Sequence, residues 1–423
     1  MKLTLGILSA VMTIAGPALA QDGNYRSESE FGFKRDRNTA VSARKSEDLQ
    51  PLGGRVGTFL VFPKLETSLD RTSNVFAAST NRKSDTILRA SPSVTVRSDW
   101  SRHALSLDAG LSASKHNDNK REDTTDWRIS TSGRLDLTPG TQLTGSLGSA
   151  KSTEPRTEPT ANGAAAKPVQ IDSRTANLSL SHEFNRLRLS AGYDFRDQAF
   201  DTVPRIGGGL LDQSFRDYKV SQVALRADYA VSPATAVYVV VEGDDRSYDR
   251  ASRGALLKDS KGTDVAVGVN YELSTISRGE IQVGQVKRDY KNFRNTSSTS
   301  FKAKVEWFPS ELTTVTFSGR RSVEETPEAT ASGFVSTALG LAVDHELLRN
   351  FVIGARADRI KDDYKGRQRD DTRQMLELGG RYSFNRNVAL DVRAKTYDLD
   401  SSGRDKISAF KVNNVIATLV LQY

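Results

Sequence analysis

The sequence contains no cysteine and only four histidines among its 423 residues. Without cysteine, the chain has no disulfide framework and no thiolate ligand for a metal. Four histidines leave little for an imidazole metal centre or a histidine-based catalytic site. Hydrophobic residues make up only 37%, a fraction that is poor for a large packed core but suits a β-barrel with a wet interior. After residue 20 no apolar stretch is long enough for a membrane-spanning helix.

The first twenty residues have the form of a secretory signal peptide. A short positive start precedes an apolar run that is broken at Gly16-Pro17, and Ala18-Leu19-Ala20 fits the small-x-small cleavage pattern. The alternative is an N-terminal membrane helix, but the run is short, so we expect cleavage near Ala20. The sequence thus divides into a signal peptide (1–20), a flexible polar periplasmic segment that is a candidate plug (21–55), and an outer-membrane barrel (56–423).

From Gly57 onward, apolar and polar residues alternate over long stretches. Clear examples are Leu105 to Ala113, Leu187 to Arg196, Phe301 to Trp307 and Val388 to Lys395. A period of two places one set of side chains on each face of a β-strand. The stretches run for roughly 10 to 14 residues, which is long for a soluble sheet and suits a tilted strand that crosses a membrane.

The connections between these stretches are of two kinds, short and long. We expect eight short turns, at 99–102, 138–140, 184–186, 231–233, 274–278, 308–310, 348–350 and 384–386. We expect nine long polar loops, at 70–85, 114–125, 151–170, 200–216, 249–261, 292–297, 324–331, 362–372 and 398–406. Short periplasmic turns and long external loops are typical of outer-membrane barrels. The prediction is an all-β, closed antiparallel transmembrane β-barrel of about 18 strands.

Aromatic residues lie near both ends of the predicted strands. Those close to short turns are Phe184, Tyr229, Tyr271, Trp307, Tyr382 and Phe384, and those close to long loops are Tyr193, Phe195, Tyr248, Tyr290 and Tyr397. We interpret them as two interfacial belts at the headgroup level of the membrane. The alternative is that aromatic residues simply favour strand ends.

The second face of nearly every strand carries charges of both signs. The candidate pore-lining residues are Arg188, Arg196, Arg226, Lys302, Lys304, Glu306, Arg320, Arg356, Glu377, Arg381, Asp391, Arg393 and Lys395. The lysines and arginines could form basic tracks for an acidic polymer. We favour the alternative, in which they pair with neighbouring carboxylates and only solvate the wall. The basic residues are spread evenly along the chain, so nucleic acid is not an expected partner.

Catalytic chemistry has little support in the sequence, and we expect no enzyme, metal site or cofactor. The histidines are predicted at separate places on the barrel, and the adjacent pair Asp344-His345 would point to opposite faces of a strand. Residues 151–170 form the most loop-like stretch. This loop could fold inward as a constriction, but we expect simple exposure.

The chain ends in an apolar strand with a terminal aromatic residue. Leu419, Leu421 and Tyr423 alternate with other residues, and the pattern resembles the closing strand that the barrel assembly machinery recognises. We expect this strand to pair with the first one, because an open sheet edge in lipid leaves backbone groups without hydrogen bonds.

Several short motifs resemble one known family. Gly57 to Glu66, followed by Ser73-Asn74-Val75-Phe76 and Ser91-Pro92-Ser93, with Arg97 to His103 continuing the pattern, is similar to the opening of the outer-membrane β-barrel porins associated with exopolysaccharide gene clusters. The likeness covers about residues 55–423. It implies a barrel with a role in surface-polysaccharide export, and it transfers no catalytic residues.

We predict the first of three functions and keep the other two as alternatives. The first is a passive outer-membrane conduit for surface polysaccharide or exopolysaccharide, working with a periplasmic export protein. The second is a general diffusion porin for small hydrophilic solutes, and the third is a structural or adhesion barrel without an open pore. A constriction formed by an inward-folded loop favours small solutes, whereas a wide bore with a mobile plug favours a polymer.

Overall fold

Eighteen long strands make up most of the chain in the computed structural model, which describes residues 39–44, 47–161, 163–251, 256–273, 276–326, 328 and 331–423. Numbered in chain order, the first nine are β1 Phe59–Thr72, β2 Asp85–Ser98, β3 Ala104–His116, β4 Thr124–Thr138, β5 Thr141–Thr153, β6 Gln170–Phe184, β7 Leu187–Phe200, β8 Tyr218–Ser232 and β9 Thr235–Tyr248. The other nine are β10 Ser260–Leu273, β11 Ser277–Tyr290, β12 Thr296–Ser310, β13 Thr313–Glu324, β14 Gly333–Leu348, β15 Phe351–Lys365, β16 Asp370–Ser383, β17 Val388–Ser402 and β18 Phe410–Gln422.

Shorter elements lie outside the wall. A strand Gly54–Val56 folds back on the start of β1, and a two-residue hairpin joins Val203–Pro204 to Leu210–Leu211. The 3-10 turns are Val41–Ala43, Glu47–Leu49, Lys120–Glu122 and Ser214–Arg216. No helix in the described part of the chain is long and apolar enough to cross a membrane. The predicted signal peptide and most of the predicted plug fall outside the described residues.

Each strand pairs antiparallel with the next, and the sheet closes on itself. β1 pairs with β18, from Lys64 opposite Gln422 to Thr72 opposite Asn414. Closure leaves no unpaired edge strand in the wall, which a bilayer demands because lipid offers no hydrogen bonds to backbone groups. The predicted 18-strand closed antiparallel barrel is confirmed. The predicted closing residues Leu419 and Leu421 lie opposite Thr67 and Leu65.

Period-two alternation sorts the side chains onto two faces. On β9 and β10, for example, Val239 and Val267 are opposite each other and about half exposed on the outer face, whereas Tyr238 and Ala266 are buried on the inner face. Large exposed hydrophobic residues recur on the outside of the strands. This is the surface that a lipid-embedded barrel presents to acyl chains.

The connections follow the predicted alternation of short turns and longer loops, but the bounds of two expected loops are wrong. Residues 398–402 of the expected loop 398–406 belong to β17, and the connection there is residues 403–409. The expected long loop at 362–372 is wrong, because β15 and β16 extend through most of it and pair from Asp363 with Asp370 onward. Only residues 366–369 connect them. Charged residues in this stretch suggested a loop, but the cross-strand pairing continues regardless.

The outer belt of aromatic residues is only partly as predicted. Phe184, Tyr229, Trp307 and Phe384 are exposed on the outer face near the short turns, and Tyr193 is exposed near the long loops. The interpretation is wrong for Tyr248, Tyr290 and Tyr397. Each stands an odd number of residues from an outward apolar residue of its own strand, so it faces inward.

Candidate pore and its constriction

The strand register places all thirteen predicted pore-lining side chains on the inner face. Their positions alternate with outward residues such as Leu189, Phe317 and Leu376, which are exposed on the lipid side. The thirteen residues lie on β7, β8, β12, β13, β15, β16 and β17. That they line a conducting path remains a prediction.

Most of these charges have partners of opposite sign. On β16 and β17, Lys395 Nζ lies 2.8 Å from Glu377, and Arg393 lies 2.7 Å from Asp391 and 3.8 Å from Glu377. Arg381 is opposite Asp391 in the ladder. Ion pairing of this kind makes a hydrated wall without a strong excess of either charge.

A second group of paired charges lies on β6, β7, β11 to β13 and β15. Glu306 accepts from Arg278 at 2.5 Å and lies 3.6 Å from Lys304. The remaining pairs are Arg188 with Glu183 at 3.9 Å, Arg320 with Glu324 at 3.6 Å and Arg356 with Asp358 at 2.7 Å. The geometry therefore favours the paired-wall interpretation over continuous basic tracks.

Arg226 lies in a compact cluster of paired charges on the inner face. Its guanidinium lies 2.7 Å from Asp228 and 2.9 Å from Glu280, and it stacks over the ring of Tyr238 at 3.5 Å. The Tyr238 hydroxyl donates to Glu280 at 2.9 Å. The charges of this cluster therefore pair with one another, and their contacts link β8, β9 and β11.

The loop between β5 and β6, residues 154–169, does not have the simple exposure that the sequence suggested. It lies inside the barrel, and the backbone carbonyl of Thr157 accepts a hydrogen bond from Tyr397 on β17 at 3.1 Å. The middle of the loop packs against the inner face of β13 to β16. There a small pocket is lined by Glu158, Pro159 and Thr160 from the loop and by Arg320 and Arg373 from the wall. The loop thus crosses from one side of the wall to the other and narrows the bore.

Two buried ion pairs anchor this loop near its start. Arg216 makes a two-pronged contact with Glu154, at 2.6 and 3.0 Å, and both side chains are almost fully buried. Arg156 makes a similar contact with Glu122, at 2.8 and 2.9 Å, and also donates to the carbonyl of Ala165. Bidentate arginine–carboxylate pairs fix orientation as well as distance.

A neighbouring loop, 201–217, holds the other half of loop 154–169. Ala166 N donates to Pro204 O and Ile206 N donates to Ala164 O, each at 2.8 Å. Beneath this backbone pairing, a small apolar cluster buries Ala165, Val169, Ile171, Phe200, Val203, Tyr218 and Val220. Ala165 and Val169, in a loop rich in proline, are the sequence feature that indicates apolar packing of this loop. The sequence does not show that loop 201–217 supplies the residues against which they pack.

Glu325, Thr326 and Glu328, in the connection that follows β13, also lie in the mouth of the barrel. Glu325 lies 3.5 Å from Arg246 and accepts from the Tyr248 hydroxyl at 3.4 Å. From loop 249–259, Lys258 Nζ donates to the carbonyls of Thr326 and Glu328. Burial of the Lys258 ammonium away from water lowers its pKa to about 8.

A short piece of the predicted plug contacts the short-turn end of the barrel, opposite to the long loops. Ala40 and Val41 are buried, and Val41 N donates to Thr314 Oγ1 at 2.9 Å on the inner wall. Arg44 pairs with Glu346 at 3.1 Å. The segment 39–44 therefore lies inside the short-turn mouth.

The four histidines are dispersed in the described structure, as the sequence suggested. His182 and His345 each share a hydrogen bond with a threonine on the preceding paired strand, at 2.6 and 2.9 Å. His103 and His116 lie in or beside connections at opposite ends of the barrel. Within the described residues, no group of three histidines or carboxylates is placed to hold a metal ion.

A closed barrel with an apolar outside, a charged inside and two inward loops defines an outer-membrane β-barrel channel. The family model described as "Putative beta-barrel porin 2" matches residues 47–423. The chain belongs to this porin family, so it is a channel protein of the outer membrane rather than an enzyme.

The chain is also similar to several solved structures, each at low sequence identity. OpdK from Pseudomonas aeruginosa is 11% identical, with a TM-score of 0.45 over 86% of this chain and 99% of its own. OccAB2 from Acinetobacter baumannii is 11% identical, with a TM-score of 0.47 over 88% and 99%. The copper transporter OprC is 11% identical, with a TM-score of 0.47 over 88% and 81%. No curated protein matches the chain.

Proposed function

We propose that this barrel is a passive channel for small hydrophilic solutes. The observation that carries the proposal is loop 154–169, which spans the lumen between its anchor at Glu154 and its contact with Tyr397. A bore narrowed by an anchored loop selects by size, and a wall of paired charges of both signs selects only weakly by charge.

Export of surface polysaccharide or exopolysaccharide is the second candidate function. The hydrated, mixed-charge wall supports it, because a polar chain can slide along such a surface. The buried segment at Ala40 and Val41 also supports it, since a periplasmic export partner could withdraw this segment. In this mode loop 154–169 must leave the lumen for a polymer to pass.

Liposome swelling separates the two functions. Purified mature protein is reconstituted in liposomes and exposed to a series of neutral sugars of increasing size. We expect monosaccharides and disaccharides to enter and longer oligosaccharides to be excluded. Entry of long oligosaccharides at a similar rate would contradict size selection and favour the conduit.

A second comparison uses protein that lacks residues 21–55. The small-solute channel predicts a similar size limit with and without the segment, because loop 154–169 still sets the limit. A polymer conduit predicts a closed intact barrel and a large conductance after the deletion. Absence of any conductance in both forms, in protein that migrates as a folded barrel, would favour the structural role.

For assembly, we propose outer-membrane lipid and the barrel assembly machinery as partners. The closing strand supports this, because Leu419 and Leu421 face outward next to β1, and Tyr423 N donates to Pro63 O at 3.2 Å. Targeting by cleavage near Ala20 is part of the same proposal.

A further inference from the structure

Basic residues occur on the outer face of the barrel near the long loops, and most have a carboxylate beside them. These pairs are Lys115 with Asp123, Lys151 with Asp172, Lys219 with Asp249, Lys261 with Asp245, Lys287 with Asp289, Lys365 with Asp363 and Lys411 with Asp398, with distances from 2.5 to 3.8 Å. Such pairs are locally neutral and attract anions only weakly.

Three outward cations on β13 and β15 differ from this pattern. Arg321, Arg359 and Lys361 have no carboxylate at ion-pairing distance among the described residues. Arg321 instead donates to two hydroxyl groups, at Ser298 and Thr337, at 3.2 and 3.1 Å. No carboxylate of the described residues therefore offsets the positive charge of these three side chains.

The strand register brings these cations together. Arg321 is opposite Thr337, and Thr337 is opposite Lys361. Arg321 and Lys361 therefore lie two strands apart in one row across the sheet. This spacing is about 10 Å between Cα atoms, and Arg359 lies about 7 Å from Lys361 along the same strand. Phosphate groups of a single headgroup can bridge such distances through long arginine and lysine side chains.

The pairing between β12 and β13 stops beside these cations, and we call this gap in the sheet the seam. The ladder between β12 and β13 ends at Phe301 and Arg321. Beyond that point β12 continues through Ser298 paired only with β11, and β13 continues to Glu324 paired only with β14. The seam leaves polar backbone and Ser298 beside Arg321, which adds hydrogen-bonding groups to the charge cluster.

The cluster lies at the upper border of the apolar outer surface. Leu339 and Leu341 on β14 are exposed below it, and Leu376 and Leu378 are exposed on β16. Thr337 and Lys361 are the next outward positions towards the long loops. This border is the level at which headgroups of the outer leaflet meet the barrel.

We propose that Arg321, Arg359 and Lys361 form a binding site for the phosphate groups of an outer-leaflet lipid headgroup. The site uses the outer wall and is independent of what passes through the lumen. Its chemistry is that of a phosphorylated glycolipid: two or more phosphates for the cations, and a hydroxyl group for Thr337.

Native mass spectrometry of the detergent-solubilised full barrel tests this site. The probes are diphosphoryl lipid A, the same lipid without its phosphates, and inorganic phosphate. We expect the intact protein to retain diphosphoryl lipid A in preference to the other two. Replacing all three cations with glutamine should weaken binding roughly 100-fold, which corresponds to about fivefold for each cation.

The matched control is Lys287→Gln, an outward lysine of β11 that is already paired with Asp289 at 2.9 Å. It should leave lipid binding nearly unchanged. The pair of substitutions Arg321→Lys and Arg359→Lys keeps the charge and should retain most of the affinity. Heat-modifiable migration confirms that each variant is folded, and the double lysine variant tests the site if the triple variant does not fold.

Three results would overturn the proposal. Equal loss of binding in the Lys287→Gln control would show that total surface charge controls the interaction. Binding of inorganic phosphate as tightly as the lipid would assign the cluster to a free anion. Equal retention of the lipid without phosphates would show that the acyl chains alone are recognised.

Discussion

At the scale of single residues, buried charge explains how the loops stay inside the barrel. Glu154 and Arg216 are both almost fully buried and satisfy each other with two hydrogen bonds. Removing one partner of such a pair leaves an uncompensated buried charge, which costs about 3–5 kcal/mol. Paired residues on the exterior, such as Lys219 and Asp249, are half exposed and contribute little.

Arg216→Met should therefore release the start of loop 154–169. We expect a larger and noisier single-channel conductance in planar bilayers, because Glu154 must move towards water. Lys219→Met is the control, and its conductance should match that of the unchanged protein. An identical conductance in Arg216→Met would show that this pair does not hold the constriction.

Lys258 makes the contact between loops 249–259 and 325–332 dependent on pH. Burial lowers its pKa to about 8, from an ordinary lysine pKa of about 10.5. A lysine with a lowered pKa takes up a proton on opening, so resistance to opening rises with pH from about 8 to about 10.5 and is lowest below pH 8. Hydrogen exchange of residues 325–332, corrected for intrinsic rates, should show this increase.

Lys258→Met should abolish that pH dependence. Lys261→Met serves as the control, because Lys261 is well exposed and pairs with Asp245 outside the barrel. If the pH dependence persists in Lys258→Met, another group controls the loop.

At the scale of elements, a strand and a loop impose different requirements. A strand of the wall needs the correct parity, because a shift by one residue exchanges the lipid face and the lumen face. A loop inside the lumen needs partners that are distant in the chain. The strands of this protein can therefore be predicted locally, whereas the position of loop 154–169 cannot.

The closing strand offers a test of parity. Leu419 is exposed on the outer face, whereas Thr418 is opposite Asp391 on the inner face. Leu419→Arg should destabilise the barrel by about 2–4 kcal/mol if it lies near the bilayer midplane. Thr418→Arg should cost much less. Unfolding in urea, followed by heat-modifiable migration, measures both, and equal costs would contradict the assigned faces.

Shortening loop 154–169 tests its role as the constriction. Replacing residues 157–164 with a short glycine–serine link removes the contact with Tyr397 but keeps both buried arginine anchors. We expect the conductance to rise severalfold and the sugar size limit to increase. Insertion of two serines after Thr80, in the exposed part of loop 73–84, is the control and should change neither. An unchanged size limit would place the constriction elsewhere.

At the scale of the whole molecule, the barrel separates two environments by the composition of its faces. The outside is apolar up to the border at Arg321 and Lys361, and the inside carries paired charges. Local neutrality of the inner wall predicts weak ion selectivity in the unchanged protein. A variant that breaks ion pairs of the inner wall should therefore change the ion selectivity according to the charge that is left unpaired.

Arg393→Glu with Lys395→Glu should shift selectivity towards cations. Both side chains face inward beside Glu377 and Asp391, so the double change creates a cluster of negative charge. Reversal potentials in asymmetric salt measure the shift. Lys287→Glu, on the outer face, should leave it unchanged. Unaltered selectivity in the double variant would show that these residues do not line the conducting path.

The sequence by itself determined the strands, their approximate number and the faces of most side chains. This information is local, because alternation with period two is present in each stretch of 12 to 16 residues. The same parity could have placed Tyr248, Tyr290 and Tyr397 inside, but proximity to a loop end was read as a belt position. The error came from the interpretation and not from a missing signal.

Only the tertiary structure decided how the lumen is filled. Thr157 and Tyr397 are 240 residues apart, and no local pattern in either strand or loop indicates their contact. The direction of loop 154–169 depends on loop 201–217, on Glu122 and on the far wall together. Such contacts form only after the sheet has closed, since closure brings distant strands to opposite sides of one bore.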